Sequence, residues 1–312
     1  MTKQRILVDV VTRYCAERCI DLDVRADGWL LVMGRLPGRH LILGYDFGLN
    51  SAVAHRVASD KAATSEVLAL SGVACVPHAC FTAPILSGAA EPPWAAMLEM
   101  LQIRPEGLVV KPNEGTSGRS VAHVTNRPAL EDAVNAIFAT NANVAFSPFL
   151  MIDDEIRVVL LDGAPLIVYR KQRPTVTGDG KRSLRELITS AAAPKQQAML
   201  LTEFGMSDLE AIVPQGQQRL LSWRHNLEFG ARPELLDSGD GRDACIGLAV
   251  AAAEAVGIRF ASVDVVHADG HWQVLEINSG VMMESLARFY PEQVHAAINA
   301  ALDKLFGVSS NG

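Results

Sequence analysis

Phe260-Ala-Ser-Val-Asp264-Val-Val-His267 and Trp272-Gln-Val-Leu-Glu276-Ile-Asn278 are two apolar runs on either side of Ala268-Asp269-Gly270. An Asp-Gly step between such runs is a hairpin signal. Side chains alternate along a strand, so Asp264, Glu276 and Asn278 are expected on one side of the sheet. Three oxygen donors, with no Cys or His among them, suit a hard cation such as Mg²⁺ (or Mn²⁺). Mg²⁺ held by a few carboxylates keeps coordination positions for nucleotide phosphates. The same triplet also reads as ordinary polar residues on the wet face of a hairpin.

A second stretch bears on that choice: Gly107-Leu-Val-Val-Lys111-Pro-Asn-Glu-Gly115-Thr116-Ser117-Gly118-Arg-Ser-Val121. An apolar strand ends on a lysine, and a loop rich in Gly and Ser follows. Loop N–H groups can wrap phosphate oxygens while the ammonium adds charge. The lysine precedes the loop, which excludes the P-loop pattern, and no G-x-G-x-x-G opens a helix. Taken alone, Gly115 and Gly118 could also be a plain hairpin turn.

With these motifs in place the chain resembles the ATP-grasp carboxylate–amine ligases. The resemblance is greatest to the branch containing cyanophycin synthetase, the glutathione-synthetase half of bifunctional glutathione enzymes and the ribosomal-protein glutamate ligases. It covers roughly residues 50–290 and rests on motifs in the family's order. These are Asp60-Lys61-Ala-Ala-Thr64, Gly72-Val-Ala-Cys-Val-Pro77, Val109-Val-Lys111-Pro112 with its loop, and Asp154-Glu155-Ile-Arg157-Val-Val-Leu-Leu-Asp-Gly163. Arg173-Pro-Thr-Val-Thr-Gly178-Asp-Gly180, Arg224-His-Asn226-Leu-Glu-Phe-Gly230 and the hairpin triplet follow.

The resemblance implies an α+β chain with the ATP-grasp fold, two lobes with antiparallel sheets sandwiching ATP, preceded by a reduced N-terminal lobe. It implies boundaries of 1–57 for the N-terminal lobe, 58–148 for the small subdomain and 149–308 for the large one. Its cofactors would be ATP and Mg²⁺ (or Mn²⁺), the metal on Asp264, Glu276 and Asn278. Lys61, Lys111, Gly115, Thr116, Ser117 and Gly118 would hold the phosphates, and Glu155 the ribose hydroxyls. Arg157, Arg173, Arg224 and Asn226 would serve the transferred phosphoryl group, the substrate carboxylate and the developing oxyanion. The implied reaction joins a small-molecule carboxylate to an amine through an acyl phosphate. An ATP-grasp phosphotransferase and a non-catalytic nucleotide-binding module are the alternatives.

Two departures bear on substrate choice. Relatives place a Glu before the Pro-Phe of the linker between ATP lobes, whereas this chain has Ser147-Pro148-Phe149-Leu150. Adenine would therefore be read by backbone groups and by Ser147, Phe149 and Leu150. After Asn278 relatives continue toward Pro-Gly, and this chain reads Ser279-Gly280-Val-Met-Met-Glu284 in a segment that normally faces the acceptor.

Composition agrees with this reading. A chain of 312 residues, 49% of them hydrophobic, can build a sizeable core. The net charge of −7 and the lack of a basic stripe argue against nucleic acid as a partner. The five cysteines lack zinc-site spacing and read as reduced thiols. The start, Met1-Thr-Lys-Gln-Arg5-Ile-Leu-Val, does not read as a signal peptide, and no stretch reaches the about 18 apolar residues of a membrane span. A cytoplasmic protein, without membrane contact and forming a homo-oligomer, with a dimer favoured, is the expectation.

Punctuation supplies the local elements. Residues 28–34 and 40–44 read as short strands, and 60–71 as a helix capped by Asp60 and stopped by Gly72. Residues 83–94 read as a loop, 128–140 as a helix opening on Pro128, and 155–170 as strand, Asp-Gly turn, strand. Residues 183–203 and 243–256 read as helices.

Overall fold

The computed structural model describes residues 5–115, 118 and 120–308. It divides into two compact units, Met1–Val168 with Asp237–Gly312, and Tyr169–Leu236.

The first unit opens with helix α1 (Ile6–Glu17), which buries Leu7, Val10, Val11 and Tyr14. That spacing of three, four and seven residues is one face of a 3.6-residue helix. Strands β1 (Leu22–Arg25), β2 (Leu30–Met33) and β3 (His40–Leu43) form an antiparallel sheet in sequence order. Helices α2 (Ala52–Ser59) and α3 (Lys61–Leu70) are separated only by Asp60. The Asp60 carboxylate accepts the Ala63 N–H at 2.8 Å, so the expected cap of α3 is present.

Strands β4 (Ala79–Thr82), β5 (Leu108–Pro112), β6 (Ala122–Val124) and β7 (Asn143–Pro148) make an antiparallel sheet of order β4-β7-β5-β6. Helices α4 (Pro84–Ser87), α5 (Trp94–Gln102) and α6 (Arg127–Phe138) lie within the same stretch of chain. Leu108, Val110, Val144 and Phe146 face a core shared with Met97 of α5 and with Leu130, Val134 and Ile137 of α6. By alternation, Val109, Lys111, Ala145 and Ser147 point to the other side. The stretch 83–94, expected as loop, contains the one-turn α4. Pro84 presets its first φ and Gly88, at φ 73°, ends it.

Strand β8 (Asp154–Leu161) and strand β9 (Ala164–Gln172) flank the expected Asp162-Gly163 turn. Strand β9 carries the chain into the second unit, where Tyr169–Gln172 pairs antiparallel with β12 (Arg232–Leu235). Between them lie β10 (Thr175–Thr177), α7 (Leu184–Ala191), α8 (Pro194–Leu200), α9 (Met206–Glu210) and β11 (Gln218–Leu220). The span 183–203, expected as one helix, breaks before Pro194, whose ring cannot continue α7. Helix α7 has a capping box, Ser183 and Glu186 each satisfying the other's backbone. A Cβ at Gly178 would lie 2.2 Å from the Pro214 carbonyl oxygen, so this unit's turn admits only glycine there.

Back in the first unit, α10 (Asp240–Val256) starts one turn before the expected Asp243 and stops at Gly257, φ 71°. Strands β13 (Phe260–Ala268) and β14 (His271–Asn278) form the expected hairpin, and α11 (Pro291–Phe306) ends the fold. Asp269 and Gly270 both have positive φ, 52° and 80°, as a two-residue turn matched to strand twist requires. Strand β13 also pairs antiparallel with β8, from Phe260 opposite Leu161 to His267 opposite Asp154. Helices are thus mixed with antiparallel sheets, the α+β arrangement expected from the sequence.

Candidate functional site

The hairpin brings the oxygen triplet together as expected. Asp264 pairs directly across the ladder with Glu276, and Asn278 lies two residues further along the same face. The Asn278 amide donates to Glu276 Oε1 at 3.3 Å. A bulge after this pair matches Val265 to Val274 and leaves Leu275 unpaired, which resets the alternation of β14. Counting by twos back from Glu276 would therefore misplace the residues before the bulge.

Arg157 lies opposite Asp264 on β8. Its Nε and a terminal nitrogen donate to the two carboxylate oxygens, both at 2.6 Å. An inward arginine in an apolar strand needs a buried partner, and Asp264, whose side chain is 2% exposed, is that partner. A carboxylate offers about four lone-pair positions, so this fork leaves Asp264 acceptor capacity. The donor set remains all oxygen and fits a hard cation, with half-buried Glu276 and Asn278 as its accessible part. Among the described residues no group of three or more His, Cys, Asp and Glu gathers to hold a metal, so Asn278 is needed to complete such a site.

Lys111 is the second-last residue of β5 and is buried, with 6% of its surface exposed. Among the described residues its ammonium has neither hydrogen bond nor ion pair. Burial pulls its pKa down to about 8. The charges of Glu276, Glu155 and Asp264 act against that, and Lys61 adds to it. The same five groups were expected at one site from sequence, and here the other four act electrostatically on Lys111. Glu155 is buried on β8, two residues from Arg157 and on the same face.

Lys61 lies at the start of α3. Its Nζ donates to the backbone oxygens of Asn113 and Gly115, both at 3.2 Å. It grips the entry of the glycine loop. Asn113 docks on the same helix end, its Oδ1 accepting the Ala62 N–H at 3.2 Å. Gly118 is half-buried in a turn, and Thr116 and Ser117 lie outside the described residues.

Ser147 is buried on the Lys111 face of β7. Phe149 is stacked on His123, ring centroids 3.6 Å apart and planes 13° apart, and Leu150 is half-buried beside it. The ring expected against adenine therefore has one face on an imidazole that sequence reasoning missed. The Ser279–Glu284 segment is also committed. Glu284 accepts the Ile6 N–H at 2.9 Å and the Tyr45 hydroxyl at 3.1 Å, tying the chain after β14 to α1.

In the second unit, half-buried Arg224 forms an ion pair with Glu203 and lies over the rings of Trp223 and Phe229, at 4.7 and 4.9 Å. The Asn226 side chain accepts the Glu228 N–H at 2.8 Å and so caps a short turn. Arg173 follows β9 and is half-buried, without an ion pair among the described residues. Glu203 had no sequence signal, because its partner lies 21 residues away.

No protein-family model matches the chain, and no curated protein sequence matches it. Solved structures do. A bifunctional glutathione synthetase from Pasteurella multocida superposes with a TM-score of 0.58 at 17% identity, over 98% of this chain and 44% of that one. The chain thus spans less than half the length of that synthetase. A D-alanine–D-alanine ligase from Bacillus anthracis gives 0.53 at 16% identity, over 83% of this chain and 72% of the ligase. Its complex with ATP gives 0.50 at 15% identity, over 83% of this chain and 71% of that one. No helix among the described residues is long and apolar enough to cross a membrane. At these identities the likeness is one of backbone architecture, and this chain has the ATP-grasp fold.

Proposed function

We propose that this chain is an ATP-dependent ligase that joins a carboxylate to an amine. The observation that carries the reading is Lys111, a buried ammonium without a hydrogen bond among the described residues, beside Glu276, Glu155 and Asp264. Burying an ammonium without an acceptor is unfavourable, and an anionic ligand oxygen removes that cost. The fold shared with a ligase solved in complex with ATP supports nucleotide phosphate as that anion. The ligases named above support an amide-forming outcome.

The chemistry follows from charge. A substrate carboxylate oxygen attacks the γ-phosphorus of ATP, the bond to the β-bridging oxygen breaks, and ADP leaves. The amine nitrogen then bonds to the acyl carbon, inorganic phosphate departs, and the nitrogen loses a proton. The first step is governed by alignment and neutralisation rather than by an enzyme nucleophile. Lys111 neutralises the phosphates from a dry wall, where its charge acts strongly. Lys61 holds the glycine loop at its entry, and Arg157 holds Asp264. A divalent cation on Asp264, Glu276 and Asn278 would add charge neutralisation at the phosphates. Arg173 and Arg224 are the candidates for carboxylate and oxyanion, since a guanidinium binds either with two parallel hydrogen bonds.

The test is ADP and phosphate release from Mg-ATP across pairs of amino acids, with hydroxylamine as the trap. Ligation predicts free phosphate that depends on amine, and a hydroxamate when hydroxylamine replaces it. ADP formed with a phosphorylated product and no free phosphate would make the chain a phosphotransferase. Binding of ATP with no turnover for any pair would leave a nucleotide-binding module.

A further inference from the structure

Arg157 and Asp264 stand opposite each other on β8 and β13. Arg157 Nε donates to Asp264 Oδ1 and a terminal nitrogen to Oδ2, both at 2.6 Å. This two-pronged bond takes one lone pair from each carboxylate oxygen. The Asp264 side chain is 2% exposed and that of Arg157 20%. Water screens so deep a pair only weakly, and each charge largely cancels the other. The two strands are already joined by their ladder from Phe260 to His267, so the ion pair is not needed to hold them together. A buried ion pair is also weak evidence of a stabilising role.

The cancellation falls on one of the three oxygen donors that fit a cation. Asn278 is neutral, and its amide already donates to Glu276 Oε1 at 3.3 Å. Glu276 is thus the one carboxylate of the triplet without an ion pair among the described residues. Glu276 and Asn278 are half-buried, so the cation would meet them first. Mg²⁺ gives up its water reluctantly, and proteins hold it through one or two carboxylates together with substrate phosphates. A single uncompensated carboxylate beside a neutral amide is a poor trap for a free divalent cation.

We propose that Arg157 is a positioning residue that makes cation binding conditional on nucleotide. By matching Asp264 it leaves the free protein too little negative charge to hold a divalent cation, and the nucleotide phosphates supply the remainder. The inference rests on the assignment of Asp264, Glu276 and Asn278 to a divalent cation. The same two hydrogen bonds hold the Asp264 carboxylate in one orientation, so the lone pairs they leave face a fixed direction. Arg157 therefore acts through Asp264, and the sequence-based expectation that it meets the phosphoryl group directly is replaced by this indirect role.

The test titrates Mn²⁺ into the full chain and reads free Mn²⁺ by electron paramagnetic resonance, with no substrate and no turnover. The unaltered protein should bind Mn²⁺ weakly alone, and with ADP present should take up more than the same ADP holds in buffer. Arg157→Gln removes the charge and should bind Mn²⁺ without nucleotide about tenfold more tightly, since affinity follows the charge of the ligands. Adding Asp264→Asn to that variant should abolish the gain. Arg157→Lys keeps the charge but cannot make both hydrogen bonds, and a gain of about threefold is expected. It decides the matter if Arg157→Gln does not fold, as circular dichroism would show. Tight Mn²⁺ binding by the unaltered protein without nucleotide would overturn the proposal. So would nucleotide-free affinities that are the same with and without Arg157, or a gain that survives Asp264→Asn. Mn²⁺ uptake by none of these proteins, even with ADP, would remove the cation from the triplet and the proposal with it. Equal uptake with and without Arg157 keeps the cation there and refutes only the role of Arg157.

Discussion

Arg5 and Lys111 are cations drawn into the same unit, and their surroundings treat them in opposite ways. Arg5 donates to the backbone oxygens of Gly44, at 3.0 Å, and Gly28, and its guanidinium lies 4.9 Å and 5.0 Å from the Trp29 and Tyr45 ring centres. Glu284 closes the group by accepting from Ile6 and Tyr45. Lys111 is more deeply buried and has none of this, although three acidic residues act on it from nearby strands. A saturated polar network fixes a local structure. A buried cation without an acceptor is poised for one that arrives from outside, which is why perturbed groups mark functional sites. The first arrangement is architecture around the start of α1, and the second is the candidate site.

The contrast can be broken by substitution. The largest effect is expected at the acidic wall facing Lys111. Glu276→Gln should lower turnover about a thousandfold by removing charge opposite the phosphates, with the circular dichroism spectrum and melting midpoint kept. Full turnover in a folded variant would remove Glu276 from the site.

Lys111→Met comes next. It should weaken Mg-ATP binding by about tenfold to a hundredfold, as expected for loss of a desolvated charge-assisted contact. Stability should hold or rise, because a buried ammonium is replaced by an apolar chain of similar length. A large loss of stability would mean that Lys111 has a structural partner, as Arg5 has.

Arg5→Ala should do the reverse. Loss of its hydrogen bonds and ring contacts should cost about 2 kcal/mol of stability in denaturant titration, with ATP affinity unchanged. Weaker ATP binding in this variant would show that the two regions are coupled.

The smallest effect is a pH signature. Burial pulls Lys111 down to about 8 from 10.5, so above pH 8 the folded protein releases a proton that the unfolded chain still holds. Its contribution to stability therefore rises between pH 8 and 10.5, while ATP affinity falls as the charge is lost. Tyr45 is raised from 10.0 to about 12, first by burial and then by the Glu284 charge. Its contribution is complete below pH 10 and is lost as pH rises through 12. Affinity and stability measured across this range should therefore part company, and parallel curves would contradict the assignment of Lys111.

The hairpin, the Asp60 cap, the Asp162-Gly163 turn and the apolar strand carrying Lys111 near its end were all legible in the chain. Each depends on a few neighbouring residues: a period of two, a capping side chain, a glycine able to take positive φ. Asp264, Glu276 and Asn278 could be put on one face for the same reason. The bulge at Leu275 could not, since it arises from the match between two strands rather than from either alone. The helix expected over 183–203 continued past a visible signal, Pro194, and was too long on that account. Asn113 also had a faint signal, since it lies two residues beyond Lys111.

By itself, then, the sequence determined the α+β class, several of the local elements, and the type and spacing of the residues expected to meet phosphate and metal. These are short-range properties, written in periodicity and in turn chemistry. Only the tertiary structure decided how each charge is matched. Asp264 has Arg157 across a ladder, 107 residues away. Glu284 belongs to α1, 278 residues away, Lys61 grips loop carbonyls, and Lys111 is left without a hydrogen bond among the described residues. Whether a polar atom is satisfied depends on which strands and helices come together around it, and hydrogen bonds operate over about 3 Å in space however far apart their partners lie along the chain.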